Sequence, residues 1–237
     1  MKLLILKIFI ALILIFSLME FKAQEQSQSG SRTIYLIRHG EYNSEDERDP
    51  YVGKELVPLG IAQTRLLSSR LKSMKIEFNS LTSSTMTRAR QTGMIINEDF
   101  PELELQQSKL IRECTPPTWR EDIMADESKT DLNECVENLE TAFKEFFIPS
   151  PDEDNKHDII VCHGNVIRYF VTKVLNVDTM AWLQMTIGNS SLTIVNIKPD
   201  GSMKLVSFND LGHIPPNLQT LTGGENKSKS LQLPTEK

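Results

Sequence analysis

Apolar and polar positions are grouped in short blocks along the chain, and most blocks carry a recognisable period. Leu3 to Phe21 is strongly apolar, broken only by Lys7, Ser17 and Glu20, and a small polar stretch (QEQSQSGS, 24–31) follows it. Thr33 to Ile37 is a β-rich run that stops at Arg38-His39-Gly40, which predicts a strand entering a loop. Ala62, Leu66, Leu67, Leu71 and Met74 recur at helical spacing behind Pro58, a residue suited to a first helical turn. A second strand is predicted at 78–83, feeding Ser84 or Thr85 as the N-cap of a helix that carries Thr87 to Ile96. Leu132, Cys135, Val136, Leu139, Phe143, Phe146 and Phe147 form an apolar stripe, and Asp131 with Glu134 resembles a capping box at its start. Asp158 to Cys162 reads as a short strand, His163-Gly164-Asn165 as a turn, and Ile167, Phe170, Val171, Val174 and Leu175 as the buried side of the next helix. Ser191 to Ile197 and Met203 to Phe208, joined around Pro199-Asp200-Gly201, predict a hairpin.

Alternating strands and helices imply an α/β fold, a three-layer α/β/α sandwich with a mostly parallel central sheet, whose ligands belong at the carboxyl ends of the strands. The chain divides into an N-terminal membrane anchor or signal segment (1–23), a linker (24–31), a folded domain (32–220) and a flexible tail (221–237). At ~1.5 Å per residue the first segment just spans a ~30 Å hydrocarbon layer if Lys7 snorkels to the interface. Its uninterrupted part, Ile8 to Met19, also fits the apolar region of a secretory signal with Lys2 and Lys7 as the basic start. Ala23 is the nearby small residue at a cleavage point, with bulky Phe21 two positions before it, which favours an uncleaved anchor.

At 237 residues, 39% hydrophobic and 24% charged, the chain is long enough for one sizeable core, and disordered or collagen-like classes are excluded. The net charge of −6 argues against nucleic acid as the main partner. Acid is concentrated in 98–154, with 17 Asp or Glu against 5 Lys or Arg, and reads as a solvated helical flank or, alternatively, a rim that selects cationic or bulky substrates. Cys114, Cys135 and Cys162 are an odd number without metal spacing, so neither a disulfide framework nor a structural zinc site is indicated and a reducing compartment is favoured. Cys162 reads as a small buried hydrophobe.

Arg38-His39-Gly40 and His163-Gly164 both follow predicted strands, so one sheet edge would bring the two imidazoles together beside guanidinium groups, an anion site. The segments IYLIRHGEY, LVPLGIAQ, SSTMTRARQT, LIRE and IIVCHGNVIRYF have the order and approximate spacing found in the histidine phosphatase (phosphoglycerate mutase-like) superfamily, which the chain resembles over about 190 residues. Arg-His-x-x-Tyr at 38–42, CHGNVIRY at 162–169 and GHIPPNLQT at 212–220 resemble most closely the mitochondrial serine/threonine-protein phosphatases of that family.

The resemblance implies a metal-independent phosphomonoester hydrolase that needs no cofactor. His39 would attack phosphorus through a neutral ring nitrogen and become a phosphohistidine. Arg38, Arg88 and His163 would hold the phosphoryl oxygens, and Glu113, from Leu110-Ile111-Arg112-Glu113, would protonate the leaving alkoxide. Phosphorylated proteins are the implied substrates; a small-molecule phosphomonoesterase and a module that binds phosphorylated partners without turnover are the alternatives. The mitochondrial outer membrane is the implied location, with the secretory pathway as the alternative, and a homodimer is left open. Val57 stands where the family usually has Thr and removes a helix cap. Arg90, Arg112 and Arg168 are expected to be ion-pair partners, His213 a loop residue, and His157 with His163 lacks a third ligand nearby for a metal.

Overall fold

The computed structural model describes residues 30–222. The expected anchor or signal segment, most of the linker and nearly all of the tail lie outside the described residues. Among the described residues no helix is long and apolar enough to cross a membrane.

Strand β1 (Arg32–Arg38) is flanked by β4 (Lys156–Cys162), parallel to it, and by β6 (Leu192–Ile197), antiparallel to it. With β2 (Ser80–Ser84), β3 (Leu105–Ser108) and β7 (Met203–Asp210) they form a six-stranded sheet in the order β3-β2-β4-β1-β6-β7. The first four strands of that order are mutually parallel, and β6–β7 is the expected hairpin. Period-two alternation splits the sheet's apolar residues between two cores. Ile34, Leu36 and Ile160 face α4 (Lys129–Phe146) and α5 (Gly164–Val174), whose Leu139, Ile167 and Phe170 are fully buried. Tyr35, Ile37, Ile159 and Val161 face the other side, where Leu67 and Leu71 of α1 (Pro58–Ser73) and Ile96 of α2 (Thr87–Asp99) close the second core. The result is the three-layer sandwich that the alternation of elements implies.

Helix α1 starts with Pro58 in its first turn, and Val57 offers no side-chain cap. Its start lies so close to the loop after His39 that a Cβ at Gly60 would run into the Glu41 carbonyl, and only glycine fits there. Three local expectations are corrected. Helix α2 is preceded by Met86 without a side-chain cap, because Ser84 is turned inward and Thr85 is engaged by Arg112. Helix α4 begins a turn earlier than its apolar stripe suggests: Ser128 caps it by accepting from the Asp131 N–H at 3.1 Å, so Asp131 is the third helical residue and not the cap. Strand pairing also reaches Leu221–Thr222 (β8), two residues past 220, against Ile187–Gly188 (β5).

The cysteine reading is corrected as well. Cys114 and Cys135 form a disulfide across 21 residues with Cα atoms 5.7 Å apart. Spacing could not reveal it, because the contact arises only when the loop after β3 is laid beside α4 by the sheet topology. A bridged pair also removes the argument for a reducing compartment. Cys162 is a free thiol in the core, as its apolar run suggests.

Candidate active site

The carboxyl ends of three parallel strands and one loop converge on a single cradle. Arg38 ends β1 and His39 follows it; β1 and β4 run in register, Arg38 opposite Cys162, so His39 and His163 emerge side by side with ring centroids 5.2 Å apart. Strand β2 ends at Ser84, and the first turn of α2 carries Arg88. Glu113 lies on the loop after β3, its backbone N–H on the Met86 sulfur at 3.3 Å. All five residues expected from the sequence, His39, Glu113, His163, Arg38 and Arg88, therefore meet. Four are buried, and the Glu113 side chain keeps 26% of its surface exposed.

The His39 ring has one tautomer open to it. Its Nδ1 lies 2.8 Å from the Gly40 carbonyl, which can only accept, so Nδ1 carries the proton. Its Nε2 receives the Arg88 Nε–H at 3.1 Å, and a guanidinium can only donate, so Nε2 keeps its lone pair. Burial, then the charges of Arg88, His163 and Arg38, hold the imidazole well below its ordinary pKa of 6.5. The His39 carbonyl is pinned by the Ser190 N–H at 3.2 Å and by Asn189 Nδ2 at 3.1 Å.

His163 is anchored differently. Its Nε2 lies 2.9 Å from Ser84 Oγ, which already accepts from the Met86 N–H at 3.3 Å and so has its own proton left to give. Where Ser84 gives that proton to Nε2 the ring hydrogen sits on Nδ1, and where it accepts from Nε2–H the lone pair does; Nδ1 is buried without a hydrogen-bond partner, 4.0 Å from Glu113 Oε2. Burial, Arg88 and Arg38 lower the pKa of His163 well below 6.5. Burial raises that of Glu113, against the pull of Arg88, Arg38 and the Asn165 N–H. Nothing in the spacing of Ser84 marks it as an inward-facing hydroxyl at a strand end, so its contact with His163 has no sequence signal. Tyr42, the last residue of the Arg-His-x-x-Tyr motif, has its ring centroid 4.7 Å from the Arg88 guanidinium carbon and 5.1 Å from that of the His39 ring.

The buried guanidinium groups of Arg38 and Arg88 shape what the cradle can hold. Arg38 Nη1 donates to the Ile187 carbonyl at 2.7 Å. Ligating atoms of His39, Glu113 and His163 lie within 4.8 Å of one another, a spacing a metal ion could use. Two fixed positive charges at the same place oppose a divalent cation and favour a phosphate dianion. Glu113 also lines a cavity of about 340 Å³ with Tyr51, Arg112, Cys114, Asp131 and Glu134, which brings the acidic stretch to the edge of the site.

The other candidates lie elsewhere or act otherwise. His157 is at the start of β4, with Nδ1 3.1 Å from the Tyr35 hydroxyl, and His213 contacts Ser190 O and Arg70. Arg112 donates to Thr85 Oγ1 and covers the Tyr51 ring, and Arg168 donates to neutral oxygens of its own helix and of Met185; the contacts of both differ from the ion pairs expected of them.

Residues 34–211 match the model of the histidine phosphatase superfamily, branch 1. The chain is 37% identical over 210 residues to "Serine/threonine-protein phosphatase Pgam5, mitochondrial" of Caenorhabditis elegans, covering 84% of this chain and 70% of the relative. It is 32% identical over 203 residues to the protein of the same description from Homo sapiens, covering 83% and 68%. Among solved structures, a putative alpha-ribazole-5'-P phosphatase of Escherichia coli superposes with a TM-score of 0.60 at 17% identity, covering 76% of this chain and 97% of that one. A phosphoserine phosphatase of Entamoeba histolytica gives 0.58 at 21% identity, covering 78% and 100%, and both likenesses speak for the fold. With two histidines and two arginines gathered at the strand ends and the family model spanning 34–211, this chain belongs to the histidine phosphatase superfamily.

Proposed function

We propose that this histidine phosphatase removes phosphate from phosphoserine or phosphothreonine in proteins, with His39 as nucleophile and Glu113 as proton donor. The observation that carries the reading is the His39 ring: neutral, proton on Nδ1 toward Gly40 O, lone pair on Nε2 facing the arginine cradle. In the first step Nε2 attacks phosphorus in line while the bond from phosphorus to the ester oxygen breaks. The Arg88 N–H must leave the lone pair and turn to a phosphoryl oxygen, where Arg38 and, with its ring hydrogen on Nδ1, His163 also donate. Glu113 gives its proton to the leaving oxygen, since an alkoxide is a poor leaving group. In the second step the Glu113 carboxylate takes a proton from water, the water oxygen attacks phosphorus, and the P–N electron pair returns to Nε2. Inorganic phosphate leaves.

The protein substrate class is supported by the names of the relatives at 30–37% identity, and so is a mitochondrial location. We place membrane attachment in residues 1–23 and the domain where a disulfide persists. Phosphate release by the full chain from phosphoserine and phosphothreonine peptides, compared with sugar phosphates and nucleotides, tests the substrate; faster turnover of the small molecules would overturn it. A reporter fused to residues 1–31 should co-purify with mitochondrial membranes, and export to the medium would refute that location. Particle mass by light scattering decides between monomer and homodimer.

A further inference from the structure

Glu113 is carried by a loop, and a loop carboxylate donates a proton efficiently only if something holds it within hydrogen-bond reach of the leaving oxygen. The holder is Asn165, the second residue of α5, which contacts the loop twice. Its backbone N–H donates to Glu113 Oε1 at 3.1 Å, and its Nδ2 donates to the Cys114 carbonyl at 2.9 Å. The amide has two orientations open to it, and Arg168 selects one. Arg168 Nη2 donates to Asn165 Oδ1 at 2.6 Å; a flipped amide would set an NH₂ group against a guanidinium that has nothing to accept with.

Arg168 is itself fixed on every side. It is 5% exposed, Nε donates to Gly164 O at 3.2 Å, Nη1 to Met185 O at 3.1 Å, and Cζ lies 4.6 Å from the Trp182 ring centroid. The Trp182 indole N–H closes a ring of contacts by donating to Pro116 O and Pro117 O at 3.2 and 3.0 Å, on the same loop that carries Glu113. A buried guanidinium with only neutral acceptors is expensive, and burial pushes the pKa of Arg168 down to about 10.

We infer that Asn165 and Arg168 are positioning residues for the acid: Arg168 sets the amide of Asn165, that amide holds the Cys114 carbonyl and with it the backbone of Glu113, and the Asn165 backbone N–H occupies Oε1, so that Oε2 is left facing His163 and the ester oxygen. The inference rests on Glu113 being the proton donor. It predicts a defect that depends on the leaving group, because an aryl phosphate such as 4-nitrophenyl phosphate departs without a proton whereas a phosphoserine peptide does not.

In the full chain, Glu113→Gln should lower kcat on a phosphoserine peptide by about 10²-fold or more, and far less on 4-nitrophenyl phosphate. Asn165→Ala, which keeps the backbone N–H on Oε1 and loses the tether on the Cys114 carbonyl, should show the same asymmetry, about 10-fold or more on the peptide and under about 3-fold on the aryl ester, and should add little to Glu113→Gln in the double variant. Arg168→Lys, which keeps the charge and loses the fork, should give a smaller loss of the same asymmetric kind and carries the test if Asn165→Ala does not fold. Equal losses on both esters, or a loss in the double variant that is the product of the single ones, would assign the pair a structural role and overturn the inference. If Glu113→Gln itself is indifferent to the leaving group, the acid assignment falls and the inference with it; if only the Asn165 and Arg168 variants are indifferent, the acid stands and the inference alone is lost.

Discussion

His39 works as a nucleophile only while uncharged, and Glu113 as an acid only while protonated. Burial and neighbouring charge push the imidazole pKa below 6.5 and burial pushes the carboxyl above 4.5, so each shift extends the pH range of the useful form. The dependence of kcat/KM on pH for a phosphopeptide should therefore be bell-shaped, rising as His39 loses its proton and falling as Glu113 loses its own, with the falling limb absent in Glu113→Gln. His39→Ala should abolish phosphoenzyme trapping and turnover together; full activity in that variant, checked by phosphate release, would remove the basis of the mechanism. Arg88 touches the nucleophile directly at 3.1 Å, so Arg88→Lys should cost about 10²-fold in kcat/KM although the charge is kept, because an ammonium cannot present a planar fork to the phosphoryl oxygens.

Among the elements, the loop after β3 and helix α4 depend most on a covalent tie. The Cys114–Cys135 bridge closes a 21-residue span, and loop-closure entropy puts its contribution at about 3 kcal/mol. Cys135→Ser should move the urea midpoint down by a corresponding amount, and a midpoint unchanged under reducing conditions would show that packing alone holds the loop to α4. At the start of α1 the constraint is steric. Gly60→Ala places a methyl group against the Glu41 carbonyl, which also accepts the Val57 N–H at 3.1 Å, so this variant should lower both Tm and kcat by shifting the loop that follows His39.

On the scale of the whole molecule, the histidines govern how stability changes between pH 7 and pH 5.5. His39, His157, His163 and His213 all have their pKa lowered below 6.5, each chiefly by burial. The unfolded chain then binds more protons than the folded one as pH falls through 6.5, so stability present above that pH is lost on acidification toward the folded values. Glu113, raised by burial, acts in the opposite sense, one group against four. Tm should fall steadily between pH 7 and pH 5.5, and His157→Gln, remote from the cradle, should flatten that slope without altering kcat. A Tm independent of pH in that window would contradict the burial assigned to these rings.

The one-dimensional pattern carries the sandwich, because strand and helix periods are local properties; the five residues of the cradle come from the family resemblance, whose motifs fall at the ends of β1 and β4 for Arg38, His39 and His163, at the start of α2 for Arg88 and on the loop after β3 for Glu113. β3 went unseen: four residues, Leu-Gln-Gln-Ser, at the sheet's edge carry no period. The capping box was misplaced by one turn, since Ser128 precedes the apolar stripe and its role depends on where the chain enters α4. The partners of the cradle, Ser84 on His163, Asn165 on Glu113 and Tyr42 under Arg88, and the joining of Cys114 to Cys135, were decided by tertiary structure alone. Bonds between residues 21 to 79 positions apart, covalent or hydrogen bonds, leave no periodic trace; they exist because parallel strand ends and two loops come to the same few ångströms of space.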